Sequence, residues 1–499
     1  MSCANQPDGQ GDEAVVMPRR KRVYQREKGV CQRCRTNKCL YIVRSVTMCR
    51  VLTSSGCFES AVRVSVVKSL HPPLLPADAR SAQPFPRPTG ANVLLALSAG
   101  AGSSALADLV HERYVGRDGE VRDTTRGQRE AVWERGWAVH VDFSAVTGLP
   151  SREGLLRAFA EERGLRFVCV RAEDSFDPLL SRRVAALGGG TEEGSDDAEA
   201  VAVRLDEPDL PLLSTPSSST ATPLESLQAL LTSLPPPSRP ALLAHILDGL
   251  LGVVAHALPN ISHLLVGETS TREAQRVIAG TATGRGWALP LELASSAPLP
   301  RAGRTVTRIK VMKNVSLKEA AIWCHGRRVE TYNERRWDGT GGGARRDARG
   351  KGATASIEAL TERFIAGLNV SHPSTVTTIN KTGDKLCFVG EADGPLCPVC
   401  QLPVDASAID WKARSALTSL PGKGDGVAAA PSADPLAPLL CYACLTMFTP
   451  LTAAQKDRPT AEPVPLPLWV GARVQERRHV PPSELRDQVA QFLIDDDDE

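Results

Sequence analysis

Two pairs of cysteines near the C-terminus have the spacing of a structural zinc ribbon. Each pair encloses two residues: Cys397 with Cys400, and Cys441 with Cys444. Four thiolates in a tetrahedral set suit Zn²⁺, and a Gly/Pro/Ala-rich linker over 421–440 explains the long interval between the pairs. We therefore expect these four residues to form a structural zinc site; the alternative is four reduced cysteines in loops.

A second group of cysteines, near the N-terminus, has less regular spacing. Cys31 and Cys34 enclose two residues, and we expect both to bind a metal. Cys49 and Cys57 are separated as if extra residues had been inserted into a second pair, and Cys39 is an alternative ligand. The spacing leaves open which residues complete this site.

A third feature is a turn of small residues between an apolar run and a helical pattern, in VLLALSAGAGSSALADLV over 93–110. Small residues let backbone N–H groups approach an oxyanion, and the start of a helix favours negative charge there. Four residues could contact a phosphate in this way: Ser98, Gly100, Ser103 and Ser104. The turn is therefore a candidate nucleotide site.

Several interpretations of the turn compete. A P-loop fails because no Gly-Lys-Ser/Thr sequence follows. A dinucleotide fingerprint fits Gly100, Gly102 and Ala105, but it needs an acid about 20 residues later and Asp142 is roughly twice too far. The turn also suits tight packing without a ligand. The loop of adenylating enzymes, S-G-G-x-D-S, matches at three positions, with Ala99 for its first glycine and Gly102 for its aspartate.

Segments in the correct order over most of the chain resemble the cytoplasmic tRNA 2-thiolation protein 2 family. The resemblance rests on the N-terminal cysteines followed by a basic helix and on the small-residue turn. It also rests on VGETSTREAQRVIAGTATGRG with its G-R-G (266–286), VSLKEAAIWC (315–324), ASIEALTERFIAGLNVSHPSTVTTINKT (355–382), CPVC, CYAC and LRDQVAQFLIDDDDE (485–499).

The resemblance implies a fold of the PP-loop ATPase type and a catalytic paralogue as partner in a heterodimer. Such a pair adenylates C2 of the wobble uridine of cytosolic tRNAs for Lys, Glu and Gln and replaces its oxygen with sulfur, in the mcm5s2U34 modification. The sulfur comes from the thiocarboxylate of a ubiquitin-like carrier, the carrier of protein urmylation. The resemblance also implies a cytoplasmic protein that binds tRNA and no membrane.

The groups that adenylation and sulfur transfer need are missing from the core. Gly102 cannot help to position Mg-ATP as an aspartate would. Sulfur transfer needs thiolates near the nucleotide, yet Cys169 and Cys324 are the only cysteines within 91–330. We therefore expect no catalytic residue in this chain and ATP-Mg only in the partner. A residual site would add Gly267 and Thr269 as the second wall of a crevice at the sheet's carboxyl edge.

The N-terminal stretch is rich in cations, among them Arg33, Arg35 and Lys38. A charge run of this kind is usually a solvated surface. With tRNA expected as a partner, these three residues become candidate phosphate contacts. Three functions compete with the thiolase subunit: an ATP-dependent adenylating enzyme acting alone, a dinucleotide-dependent oxidoreductase, and a zinc-binding interaction scaffold.

Composition limits the class of protein. The 499 residues, 42% of them hydrophobic, suffice for two or three domains. A net charge of +2 creates no global field for nucleic acid, and 4% aromatic residues argue against extensive base stacking. The 13 cysteines are an odd number and are unlike a secreted disulfide framework. The polar N-terminus is unlike a signal peptide, and no apolar run approaches the roughly 20 residues that cross a bilayer. We expect a soluble protein in a reducing compartment.

Alternating strands and helices predict the fold that must position these residues, an α/β domain with a doubly wound parallel sheet. Strands are expected from 91, over 136–143, 165–174 and 263–267, and helices over 152–164, 241–258 and 355–369, with Ser270 and Glu273 forming a capping box. The predicted organisation is a disordered 1–20, a basic cysteine motif and helix at 21–70, a PP-loop-like core at 91–335 with a disordered insertion at 188–240, a flexible insertion at 339–352, a helical and zinc-ribbon-like region at 355–450, and a tail with an acidic end at 451–499.

Overall fold

The structure is a computed structural model of the chain. It describes residues 30–31, 33–34, 36–38, 41–43, 46–49, 57–74, 91–116, 132–189, 200–207, 209–214, 221–299, 304–332, 356–388, 394–404, 435–448 and 462–478. The predictions for 1–20, 339–352, Arg35, Cys39 and the acidic end lie outside these residues.

The described strands form three sheets. They are β1 (Tyr41–Val43), β2 (Val46–Met48), β3 (Asn92–Ala96), β4 (Gly136–Asp142), β5 (Arg166–Arg171), β6 (Val201–Val203), β7 (Leu212–Ser214), β8 (Ile261–Val266), β9 (Ser296–Leu299), β10 (Val306–Lys310) and β11 (Val464–Pro465). The central sheet has the order β5-β4-β3-β8-β10-β9, and all neighbours are parallel except β9 and β10. The five parallel strands thus follow the order 3-2-1-4-5 of a doubly wound sheet, which confirms the predicted fold class.

Helices connect and cover these strands. They are α1 (Cys57–Leu74), α2 (Ala101–Tyr114), α3 (Ser144–Thr147), α4 (Glu153–Glu162), α5 (Leu180–Leu187), α6 (Pro223–Ser233), α7 (Arg239–Ala257), α8 (Ser270–Ala282), α9 (Leu289–Leu293), α10 (Leu317–Arg327), α11 (Ile357–Ser371), α12 (Pro373–Gly383), α13 (Tyr442–Phe448) and α14 (Leu468–Arg478). The strands β3 and β4 are buried along almost their whole length, because a parallel sheet is covered on both faces.

The chain divides into two compact units, residues 1–59 and 60–499. In the first, β1 and β2 pair as a short antiparallel hairpin between the two halves of the N-terminal cysteine group. The second contains the central sheet and the C-terminal cysteines.

The prediction of disorder over 188–240 is wrong for much of that segment. Strand β6 is fully buried, and Leu227 and Leu230 of α6 have no exposed surface. Thr222 and Glu225 form a capping box that starts α6. Because the surrounding sequence is rich in Pro and Ser, the sequence analysis did not predict β6 and α6, which contribute to the main hydrophobic core.

The region 451–499, predicted as a tail, contains a strand and a helix. Strand β11 pairs antiparallel with β6, although more than 250 residues separate the two strands in the sequence. Helix α14 follows and buries Val470 and Val474 in the main core. A two-residue strand has no local periodicity, so the sequence could not reveal this pairing.

Helix α7 corrects the expectation that no apolar run in the chain is long enough to cross a bilayer. Together with the preceding turn, Pro236–Ala257 is long and apolar enough to cross a membrane by length and composition, and 61% of its most apolar window is buried. Its apolar residues contact the central sheet and α5. Burial in a protein core accounts for the composition of this helix, since both of its faces meet apolar neighbours.

Candidate functional site

The candidate site lies where β3 and β8 leave the sheet side by side. In a doubly wound sheet the crevice at this switch point is where ligands bind. The turn at 98–104 follows β3, and the segment 267–270 follows β8. The sequence analysis placed these two segments as the walls of a crevice; the structure brings them into direct contact.

The two walls meet without a gap at their closest point. A Cβ on Gly102 would overlap the carbonyl oxygen of Gly267 and would lie 3.0 Å from the Thr269 side chain. In return, a Cβ on Gly267 would lie 2.6 Å from the backbone nitrogen of Ser103. Both glycines are therefore required by close approach of two backbones, and no side chain fits at either position.

The turn holds a left-handed residue that is not glycine. Ala99 has φ of 63° and is buried, a conformation that costs a residue with a Cβ roughly 1–2 kcal/mol. Its carbonyl oxygen accepts a hydrogen bond from the Tyr332 backbone N–H at 2.8 Å. The backbone thus keeps the shape that a glycine would favour, and the segment that follows α10 crosses the turn.

The hydroxyl groups of the turn are engaged within it. The Ser103 hydroxyl accepts from the Ser98 backbone N–H at 3.1 Å and donates to the Gly100 carbonyl oxygen at 3.2 Å. Ser104 and Thr269 are buried, with 1% and 4% exposure. The six predicted nucleotide contacts therefore lie in two adjoining segments, in which Ser103, Ser104 and Thr269 are buried and Ser98 is exposed.

The predicted capping box of α8 is wrong, and its glutamate has another role. Helix α8 begins at Ser270 with Thr269 as N-cap, and no side chain caps it. Glu273 turns into the core instead, where its Oε1 lies 2.8 Å from Lys310 Nζ. Without this carboxylate the buried Lys310 would lose a counter-charge, which is costly.

Lys310 is the centre of a buried charge cluster behind the second wall. Its ammonium group also lies 2.9 Å from Glu268 Oε2 and donates to the Glu292 carbonyl oxygen at 2.5 Å. Glu268 forms a second ion pair with Arg276. Burial opposes the charge of Glu268, but Arg276 and Lys310 hold its pKa well below the usual value.

Sequence reasoning missed this cluster, because its one signal depends on the place of β10 in the sheet, which the sequence does not indicate. Strand β10 has the sequence VTRIK, and a lysine in the last position of a central strand needs a buried counter-charge. Glu268, in the segment after the neighbouring strand, is the first acid in reach. The cluster fixes the second wall to the strand beside it.

The two core thiols have the character of structural cysteines. Cys324 is buried, its Sγ donates to the Ala101 carbonyl oxygen at 3.5 Å, and burial raises its pKa to about 12. Burial also raises the pKa of Cys169 to about 12. A raised pKa disfavours the thiolate that nucleophilic sulfur chemistry requires.

The N-terminal cysteines form a four-thiol cluster. The Sγ atoms of Cys31, Cys34, Cys49 and Cys57 lie within 4.8 Å of one another, so Cys49 and Cys57 complete the set despite their separation in sequence. Cys34 Sγ is 3.6 Å from Cys49 Sγ, close to the edge of about 3.8 Å in a tetrahedron with Zn–S bonds of about 2.3 Å. Hydrogen bonds from Thr36, and then from backbone groups, lower the Cys34 pKa to about 5.

The C-terminal cysteines form a second such cluster. Cys397, Cys400, Cys441 and Cys444 also have Sγ atoms within 4.8 Å of one another, and Cys400 and Cys441 are 3.6 Å apart. Burial opposes ionisation of Cys397, but hydrogen bonds from the other thiols hold its pKa well below the usual value. Each cluster has the ligand type, number and spacing of a structural tetrathiolate metal site.

The predicted tRNA contacts are only partly placed. Arg33 and Lys38 are exposed beside the N-terminal cluster. The Arg33 guanidinium donates to the Cys57 carbonyl oxygen at 3.0 Å, so this arginine also supports the cysteine loop.

Comparisons with known proteins agree on one family. The sequence model described as cytoplasmic tRNA 2-thiolation protein 2 matches residues 356–446. Curated proteins of that description from Drosophila persimilis and Mus musculus are 29% identical over 161 residues and 26% identical over 270 residues; these matches cover 32% and 47% of this chain. The chain spans 37% and 48% of the lengths of these two relatives.

One solved structure is also similar in outline. It is described as the U34-tRNA thiolase NcsA from Methanococcus maripaludis with its [4Fe-4S] cluster. The sequence identity is 16% and the TM-score is 0.41, with 74% of this chain and 95% of that chain covered.

Proposed function

We propose that this chain, which is similar to the cytoplasmic tRNA 2-thiolation protein 2 family, is a member of it and acts as a non-catalytic subunit of a tRNA thiolase. Its role is to support 2-thiolation of the wobble uridine, with a catalytic paralogue as its partner and tRNA as the shared substrate. The family's name refers to the cytoplasm, and we assign this protein to that compartment.

The observation that carries the non-catalytic role is the contact between Gly102 and Gly267. An adenylating loop places an aspartate at the position of Gly102, where it would help to position Mg-ATP. Here the Gly267 carbonyl oxygen fills the place of a side chain. The turn therefore serves as packing between two walls, and we assign Mg-ATP binding to the partner.

The core thiols support the same division of labour. Sulfur transfer requires an accessible thiolate close to the activated base. Cys169 is partly buried and Cys324 is buried, and both have raised pKa values. We infer that the paralogue supplies the sulfur-handling cysteines, and that a thiocarboxylated ubiquitin-like carrier supplies the sulfur.

The two cysteine clusters are assigned a structural role in this subunit. Bound Zn²⁺ would cross-link the segments that carry these cysteines. One ion would be held by Cys31, Cys34, Cys49 and Cys57, and a second ion by Cys397, Cys400, Cys441 and Cys444.

The tRNA targets we propose are those for Lys, Glu and Gln.

Purified components test the proposal directly. The isolated chain should neither hydrolyse ATP to AMP in the presence of tRNA nor thiolate tRNA with a sulfide donor. Addition of the paralogue should yield both activities, at a rate above that of the paralogue alone. Thiolation by the isolated chain would instead favour an adenylating enzyme that acts alone.

A further inference from the structure

We propose that a cavity at the C-terminal ends of α4 and α10 binds a phosphate group of the tRNA backbone, with Arg328 as its principal contact. The cavity has a volume of about 410 Å³ and is open to solvent. Three arginines line it together with three other titratable residues: Arg163, Arg327, Arg328, Asp108, Glu162 and His111. The choice of tRNA as the ligand rests on the proposed function, whereas the cavity and its charges do not.

A buried carboxylate orients two of the three arginines. The side chain of Asp108 is 3% exposed, and its two oxygens lie 3.2 Å from Arg163 Nη2 and 3.1 Å from Arg327 Nε. The Trp323 indole N–H donates to the same carboxylate at 2.9 Å. Since a buried charge needs such partners, this network holds both guanidinium groups at the cavity in the absence of a ligand.

The third arginine is held at the cavity by its backbone conformation. Arg328 ends α10 in the left-handed region, with φ of 59° and ψ of 33°. This position of a helix favours glycine, because a Cβ is sterically disfavoured there. Residues other than glycine in such conformations are concentrated at functional sites. The conformation adds a second guanidinium directly after that of Arg327.

The charges of the lining leave one guanidinium without a carboxylate. Arg163 pairs with Asp108 and, at 3.0 Å, with Glu162, and Arg327 shares Asp108. Arg328 is exposed and forms no ion pair with any residue that the structure describes. The lining therefore carries three guanidinium groups against two carboxylates, and the excess cation is the exposed one.

An exposed guanidinium at an open cavity suits a phosphate that belongs to a large ligand. Guanidinium groups bind phosphate oxygens through paired, planar hydrogen bonds. His111 adds no charge at pH 7, because burial lowers its pKa. A phosphate on Arg328 would stay partly solvated, as backbone phosphates do in protein–RNA complexes. Among the partners proposed for this chain, tRNA is the one that presents a row of phosphates.

The chain offers an informative variant and a matched control. Arg328→Gly removes the cation and gives the left-handed position the residue that fits it best, so a loss of binding would not reflect a loss of fold. Arg182 of α5 is also exposed, forms no ion pair within the described part of the chain, and does not line the cavity. Arg182→Ala therefore removes an equal charge elsewhere on the surface.

The experiment measures binding of the full chain to a transcript of the tRNA for Lys by fluorescence anisotropy at several KCl concentrations. Arg328→Gly should weaken binding about 3- to 10-fold near 0.1 M KCl and should reduce the slope of log K against log [KCl] by about 0.7–0.9, as expected for one lost phosphate contact. Arg328→Lys should keep the slope, and Arg182→Ala should keep both the affinity and the slope. The denaturation midpoint of Arg328→Gly should not fall.

Three results would overturn the proposal: an affinity and slope of Arg328→Gly equal to those of the parent chain, an equal loss in Arg182→Ala, or no tRNA binding by the parent chain. If Arg328→Gly does not fold, Arg328→Gln is measured against the same thresholds. Failure of the proposed function is a separate result. The chain and its paralogue together would then not thiolate tRNA, whether or not Arg328 contacts it.

Discussion

The carbonyl oxygen of Gly267 lies where the side chain of any other residue at Gly102 would begin. This contact joins the turn after β3 to the segment after β8, across the switch point of the sheet. A ligand at a switch point normally occupies the space between two such segments. Here the backbone itself fills that space at its narrowest point.

Gly102→Ala should destabilise the protein. The added methyl group overlaps a backbone oxygen, which cannot rotate away, so we expect a loss of about 1–3 kcal/mol in the free energy of unfolding. Chemical denaturation followed by circular dichroism measures it. The control is Gly154→Ala in α4, where nothing lies within 4 Å of the new methyl group and helix propensity predicts a gain of up to about 1 kcal/mol. Equal stability of the two variants would contradict the close contact.

Lys310→Met should be more damaging. The change leaves Glu268 and Glu273 without their shared cation, and removing one member of a buried ion pair costs about 3–5 kcal/mol. Lys318→Met, at an exposed position of α10, should stay within about 0.5 kcal/mol of the parent. The measurement is the denaturation midpoint at pH 7; a similar midpoint for both variants would show that the cluster contributes little.

His263 should make stability dependent on pH below neutrality. Burial lowers its pKa to about 4, and its Nδ1 accepts a hydrogen bond from the Trp133 indole N–H at 3.2 Å. In the unfolded chain this histidine binds a proton near pH 6.5, and in the folded chain it does not. The free energy of unfolding therefore has its full value above pH 6.5 and declines by about 1 kcal/mol per pH unit as the pH falls toward 4.

The variant that tests this titration is His263→Asn, which keeps an acceptor for Trp133. Its stability should change less between pH 7 and pH 4.5 than that of the parent chain. His325→Asn, at an exposed position of α10, should retain the parent's pH dependence. An unchanged slope in His263→Asn would assign the acid sensitivity to other groups.

The cysteine clusters predict two bound metal ions per chain. Cys57→Ser and Cys400→Ser should each remove one equivalent of zinc, measured by elemental analysis of the purified protein, because each removes one of four ligands. Cys387→Ser, at an exposed thiol outside both clusters, should remove none. Retention of two equivalents in Cys57→Ser would return the fourth N-terminal position to another residue, such as Cys39.

The parts of the fold that could be predicted from sequence are those with a local signal. Strands β3, β4, β5 and β8 are runs of apolar residues, and they lie where the pattern placed them. Helices α4, α7 and α11 likewise match their predicted positions within a few residues. Strands of a parallel sheet are buried on both faces, so their sequences are almost continuously apolar and can be recognised directly.

The missed parts depend on partners distant in sequence. Strand β10 carries Thr307, Arg308 and Lys310, and its apolar content is too low to indicate a central strand. The pairing of β6 with β11 has no local signature at all. The spacing of Cys49 and Cys57 could not show that a hairpin and a helix start would return both thiols to Cys31 and Cys34.

The nucleotide-site prediction shows the same limit. The sequence located both walls, since a small-residue turn after one strand and a G-E-T-S segment after another are readable patterns. It could not show that Gly102 and Gly267 would touch, or that the Ser103 hydroxyl would bond within its own turn. Distances between segments arise from packing, which the pattern of one segment does not contain.

Mass spectrometry of wobble uridines in tRNA from cells that lack the gene tests the proposed function. We expect loss of 2-thiolation in the tRNAs for Lys, Glu and Gln, restored by the parent chain and also by a chain with Ser98→Ala, since that hydroxyl serves no reaction. Normal levels of 2-thiouridine without the gene would refute the role in thiolation.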